Sequence, residues 1–124
     1  MLRFTAKQRT GNQAEALAEQ IMRRAGLKCL ARNYRCKQGE LDLVMRDGDT
    51  VVFVEVRYRR QSRWGGAAES VNQTKQQRVI LAAQHFLLNH PKLVNRPCRF
   101  DVIAAEGNPA DPAAYNWIRE AFTC

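Results

Sequence analysis

Apolar residues recur at helical spacing over residues 12–25 (NQAEALAEQIMRRA), where Ala14, Leu17, Ala18, Ile21, Met22 and Ala25 fall on one face. Gly26 suits the position just past a helix end, and Arg23 and Arg24 suit its last turn. Residues 27–34 (LKCLARNY) read as a strand, and the basic stretch RCKQG as a loop. Residues 39–46 and 50–58 read as the two strands of a hairpin. A loop rich in Arg and Gly follows over 59–71. Residues 73–89 predict a second helix, capped by Asn72 and ended before Pro91, with Val79, Ala82, Ala83, Phe86 and Leu87 on its apolar face. CRFDVIAA (98–105) predicts another strand. A Gly/Pro-rich loop then leads to YNWIREAF, a short amphipathic helix or strand. The order is α-β-β-β-α-β. The second helix is a crossover, so the strands it joins are expected to be parallel and the sheet mixed. The predicted class is α/β, a mixed central sheet flanked by helices.

Length and charge narrow the picture. At 124 residues, one domain spanning 1–124 is expected. No apolar run approaches the ~18 residues of a membrane span. The start, MLRFTAKQRT, has no apolar signal core, so the cytoplasm is the expected compartment. Lys and Arg outnumber Asp and Glu by 20 to 12, a net charge of +8, which favours a polyanionic partner such as nucleic acid. Cys29, Cys36, Cys98 and Cys124 show no C-x-x-C spacing and have no companion histidine pair, so neither a zinc site nor a disulfide framework is expected. Cys29 and Cys98 lie in apolar, strand-like segments, as small hydrophobes would. His85 and His90 fall near a helix end and are assigned no chemistry.

The hairpin carries the candidate chemistry. Gly48-Asp49 reads as a two-residue turn, which places Asp47 opposite Thr50. Counting back, Val44 meets Phe53, Asp42 meets Glu55, and Glu40 meets Arg57. Alternation puts these six on one face and Leu41, Leu43, Met45, Val52, Val54 and Val56 on the other, a core face. Glu40 opposite Arg57 is an ordinary cross-strand ion pair. Asp42 opposite Glu55 is not, because like charges with Cβ atoms ~5 Å apart repel. A shared proton or a bound divalent cation would relieve them. Val44 and Phe53 beside them predict a partly covered cleft. A bulge would shift the register and weaken this reading.

An Asp on one strand followed by Glu-x-Lys on the next resembles the PD-(D/E)XK nuclease superfamily; here the residues are Asp42, then Glu55-Val56-Arg57. The ordered set AExxAE, RNYR, GELDLV, FVEVRYR, Lys75 at a helix start, and RFDVIA resembles more closely the YraN family, bacterial proteins classed as endonuclease-like and distantly similar to archaeal Holliday junction resolvases. The resemblance runs from about Gly11 to Phe122 and implies a restriction-endonuclease-like core. It implies that Asp42 and Glu55 bind Mg²⁺ or Mn²⁺, with the Val56 carbonyl as a further ligand, Glu15 completing the site, and Glu40 supporting it. It implies hydrolysis of DNA phosphodiester bonds by an endonuclease, with branched or flapped DNA as candidate substrates. Glu19, one turn beyond Glu15, reads as a solvated helix residue. Two positions depart from the superfamily pattern. Leu41 stands where Pro is frequent, and Arg57 stands where the motif has Lys. Arginine neutralises a phosphate well but does not serve as a general base.

RYRRQSRW follows the motif directly. Arg59, Arg60 and Arg63 suit phosphate contacts; Trp64 either stacks on a base or packs back onto the domain. Lys75 either meets a phosphate at the helix N-terminus or is a capping-turn lysine without a partner. Nothing resembles base-specific readout, so DNA, ahead of RNA, would be recognised by structure. A homodimer would suit a junction cutter. Two other readings stay open: a nucleic-acid-binding protein that keeps the fold without efficient cleavage, and an adaptor for an acidic protein.

Overall fold

Both faces of the central sheet are covered, which explains why its middle strands read as continuous apolar runs. The computed structural model describes residues 6–60 and 66–123. The elements are α1 (Ala6–Arg24), β1 (Lys28–Cys36), β2 (Gly39–Asp47), β3 (Thr50–Arg59), α2 (Gln73–Leu88), β4 (Cys98–Glu106) and β5 (Tyr115–Phe122). Short 3-10 turns lie at Ala68–Ser70, Pro91–Leu93 and Pro112–Ala114. The sheet order is β1-β2-β3-β4-β5. β3 and β4 are parallel, joined through α2, and the other pairings are antiparallel. The α/β class and the mixed sheet are as expected, and the terminal YNWIREAF segment is a strand.

α1 starts at Ala6, earlier than residue 12, because its first turns carry no apolar period to mark them. Ala14, Ala18 and Met22 pack it onto Leu43, Met45, Val52, Val54, Val56 and Ile103. It ends where Gly26 takes φ +97°, letting Leu27 N–H reach the Met22 carbonyl at 3.1 Å and Gly26 N–H the Arg23 carbonyl at 2.9 Å. α2 begins at its Asn72 cap, whose side chain accepts from Lys75 N–H at 3.0 Å. Val79, Ala83 and Phe86 then cover the opposite sheet face, against Leu41, Val44, Phe53 and Phe100. Val44 and Phe53 are therefore core residues beneath α2, not the wall of a cleft.

The hairpin turn places Asp47 opposite Thr50 and Val44 opposite Phe53, as expected. The β2–β3 ladder then ends at Leu43 and Val54. Leu41 packs on the α2 side, contrary to strict alternation with Leu43. The strands part where the register had placed Asp42 opposite Glu55 and Glu40 opposite Arg57. Glu40 instead sits opposite Arg35 of β1 and pairs with it at 3.2 Å. Cys98 is exposed at the start of β4, contrary to its reading as a small hydrophobe, while Cys29 and Cys36 are half-buried. His85 meets the Tyr34 hydroxyl, and His90 stacks on Phe86, structural contacts in both cases. Among the described residues, no helix is long and apolar enough to cross a membrane.

Candidate active site

The parting of β2 from β3 is what brings charge into the core. Asp42 is 7% exposed, and its Oδ2 accepts from Val56 N–H at 2.8 Å. The side chain thus supplies the acceptor that a paired strand would otherwise offer. Glu55 is 3% exposed. Glu15 approaches from α1 and lines a cavity of about 440 Å³ together with Asp42, Asn12 and Arg35. On its other side it borders a cavity of similar size with Val56, Tyr58 and Arg60.

The three carboxyls lie close enough to act on one another, Glu15 with Asp42 and Asp42 with Glu55. Burial pushes the Glu55 carboxyl up to about 9, aided by the charge of Asp42 and opposed by Lys75 and Arg57. Burial also raises Glu15, to about 7, with the Asp42 and Glu40 charges adding to it. Asp42 is raised by its own burial against the pull of the Val56 N–H. Burial and crowding thus bias all three toward their protonated forms, Glu55 more strongly than Glu15.

Cations flank the acids. Arg57 lies 3.4 Å from Glu55 Oε1, and its Nε donates to Ser70 Oγ at 2.9 Å. Ser70 in turn donates to the Ala67 carbonyl, fixing the guanidinium to the 3-10 turn. Lys75, in the first turn of α2, is close enough for its charge to act on both Asp42 and Glu55. The sequence had offered Lys75 only as a phosphate contact or a cap, and gave no role to Ser70. Only the packing of α2 against β2 and β3 reveals either.

Glu19 is a partnered residue and not a solvated one. Its carboxylate is bonded by Arg32 and by Arg23, the latter at 2.7 Å, which holds it below the ordinary carboxylate range. Glu40 stays close enough to raise Glu15 and Asp42 but is engaged by Arg35. Arg59 and Arg60 are exposed at the end of β3. Arg63 and Trp64 lie outside the described residues.

Among the described residues, no group of three His, Cys, Asp or Glu side chains is disposed to hold a metal ion. Glu15, Asp42 and Glu55 are therefore not a ready-made three-carboxylate cage. The pair Asp42 and Glu55 fits a hard cation in another respect. Both are oxygen donors, both are buried, and each is pushed toward its protonated form by its burial, against the pull of the cations nearby.

Similar proteins share almost the whole chain. A 118-residue match in Pseudomonas syringae pv. syringae (strain B728a), described as a UPF0102 protein, is 57% identical and covers 95% of this chain and 96% of the relative. Another UPF0102 protein, from Stutzerimonas stutzeri (strain A1501), is 57% identical, covering 96% and 98%. A third, from Saccharophagus degradans (strain 2-40 / ATCC 43961 / DSM 17024), is 52% identical, covering 92% of each. The model of a family described as "Uncharacterised protein family UPF0102" matches residues 14–105, a span that holds Glu15, Asp42, Glu55, Arg57 and Lys75. The chain belongs to the UPF0102 family, the YraN family that its ordered motifs resemble.

Proposed function

We propose that this protein is a metal-dependent endonuclease that hydrolyses phosphodiester bonds in DNA, with branched or flapped DNA as its substrate class. The observation that carries the proposal is the buried pair Asp42 and Glu55 at the parting of β2 from β3, joined by half-buried Glu15 and flanked by Arg57 and Lys75. A purely structural hairpin has no use for two crowded carboxyls in its core and a third against them from α1, since a buried one costs stability when charged. The likeness to PD-(D/E)XK nucleases, in the order of Asp42 and Glu55 along adjacent strands, supports the same reading.

In this reading Asp42 and Glu55 hold Mg²⁺ or Mn²⁺, with the Val56 carbonyl as a further ligand. When bound, the cation supplies Lewis-acid stabilisation of charge on the phosphate and activates water. The chain does the rest. Val56 N–H holds Asp42 in one orientation. Ser70 holds the Arg57 guanidinium beside Glu55, where it can neutralise a phosphate but not take a proton. Lys75 brings a second cation to the same acids from the opposite element. Glu15 sits at the rim of two cavities and exchanges its proton near neutral pH.

Calorimetric titration with Mn²⁺ tests the site directly. Wild type is expected to bind, and Asp42→Asn and Glu55→Gln each to weaken binding by about 10- to 100-fold or more. Wild-type affinity in both variants contradicts the reading. One observation favours a second reading, a nucleic-acid-binding protein without efficient cleavage: Arg57 stands in the lysine position and is already engaged by Glu55 and Ser70. That reading predicts salt-sensitive DNA binding that survives Asp42→Asn, with no metal-dependent product.

A further inference from the structure

A separate cavity, of about 420 Å³, opens between the β1–β2 turn and the first turns of α2. Arg35, Lys37, Lys75 and Arg78 line it, and Glu40 is the one carboxylate among its lining residues. That carboxylate is already matched by Arg35 at 3.2 Å, so Lys37 and Arg78 have no acidic partner in the lining, while Lys75 also acts on Asp42 and Glu55. Lys37 and Arg78 are exposed, and Lys75 is half-buried. We infer that this cleft is a docking site for the backbone phosphates of a nucleic acid, holding the strand on the β1–β2 side of the acidic site.

Its position supports this. Arg35 lines both this cavity and the one that contains Glu15 and Asp42, so the two adjoin at that residue. A strand seated in the basic cleft therefore lies next to the cavity that holds the carboxylates. The walls are also set rigidly. A Cβ on Gly39 would come within 2.7 Å of the Arg78 carbonyl oxygen, so only glycine lets the turn close this far onto α2. Long, exposed side chains spread around an open cleft suit a repeating anion better than one caged ion, and a concave basic surface concentrates such a ligand. The sequence marked RCKQG as a basic loop but could not place it beside Arg78, 41 residues after Lys37.

The inference rests on the nucleic-acid part of the proposed function, and its test is independent of cleavage. A fluorescein-labelled DNA duplex is titrated in EDTA with wild type and with the double variant Lys37→Glu/Arg78→Glu, over a series of salt concentrations. Both substituted side chains are exposed, and far-UV circular dichroism verifies the fold. The expected result is binding weakened by about tenfold or more, with the slope of log affinity against log salt reduced by about 0.9 for each phosphate no longer neutralised. The pair Lys37→Arg/Arg78→Lys is expected to bind like wild type. Equal affinity and slope in wild type and the Glu variant overturn the docking site and leave the nuclease reading standing. Loss of binding in the Glu variant, alongside a wild type that never cleaves, supports the docking site and overturns the nuclease. A wild type that does not bind DNA overturns both.

Discussion

Glu55→Gln is expected to stabilise the metal-free protein above neutral pH and to remove much of the fall in its stability with rising pH. The folded protein holds the Glu55 proton up to about 9, whereas the ordinary value is 4.5. Between those limits the folded state binds a proton that the unfolded chain does not, so stability falls as pH rises. The contribution is complete below the lower limit and gone above the upper one. The slope approaches one proton's worth, about 1.4 kcal/mol per pH unit. Glu15 adds in the same direction over the narrower range up to about 7, damped by its partial exposure. The three acids titrate as a set, and Glu55 is displaced further than Glu15. Glutamine keeps the shape without the charge. Urea unfolding in EDTA across the pH range measures the effect. Parallel curves for wild type and variant would show that the carboxyls are not crowded as described.

Asp101→Ala is expected to cost about 3–5 kcal/mol, the penalty for removing one partner from a buried charged network. Asp101 is fully buried. It accepts from Arg99 Nε at 3.1 Å, from Trp117 Nε1 at 2.9 Å and from Glu120 N–H at 3.1 Å. The last two bonds hold β5 to β4 where the register shifts between Phe100 and Val102 and where Glu120 takes φ +49°. Arg99 also bonds Asp47 at 2.9 Å, so one guanidinium ties β4 to the end of β2. Arg99 Nη2, itself buried, already lacks a hydrogen-bond partner among the described residues, so loss of Asp101 leaves a partly buried cation still less satisfied. Asp101→Asn, which keeps an acceptor, is expected to cost less. Thermal and urea unfolding measure both, and a loss below about 1 kcal/mol for the alanine variant would contradict this account.

Both variants touch residues that differ in how far the sequence made them legible. Asp42 and Glu55 stood out because charge broke an otherwise apolar alternation, and the Gly48-Asp49 turn fixed the register near it. That register could not reveal that β2 and β3 part before Leu43 and beyond Val54, away from the turn, because a divergence changes facing without changing composition. Leu41 was therefore assigned to the wrong side and Glu40 to the wrong partner. The crossover helix and its Asn72 cap were readable from apolar spacing and local capping chemistry. Lys75 was readable as a candidate phosphate contact at a helix start but not as a neighbour of the acids, and Ser70 was not readable at all, because their nearness to Glu55 and Arg57 exists only once α2 and its leading turn are packed. Asp101 was visible inside RFDVIA, but its partners Trp117 and Glu120 belong to a strand that the pattern left open between helix and strand.

Incubation of labelled single-stranded, duplex, flapped and four-way-junction DNA with wild type or Asp42→Asn, in Mg²⁺, Mn²⁺ or EDTA, tests the central claim most directly. The account predicts metal-dependent cuts by wild type, with flapped or branched DNA preferred, and a loss of about 1000-fold or more in Asp42→Asn. DNA binding by wild type without a cut on any substrate, in either metal, would contradict it.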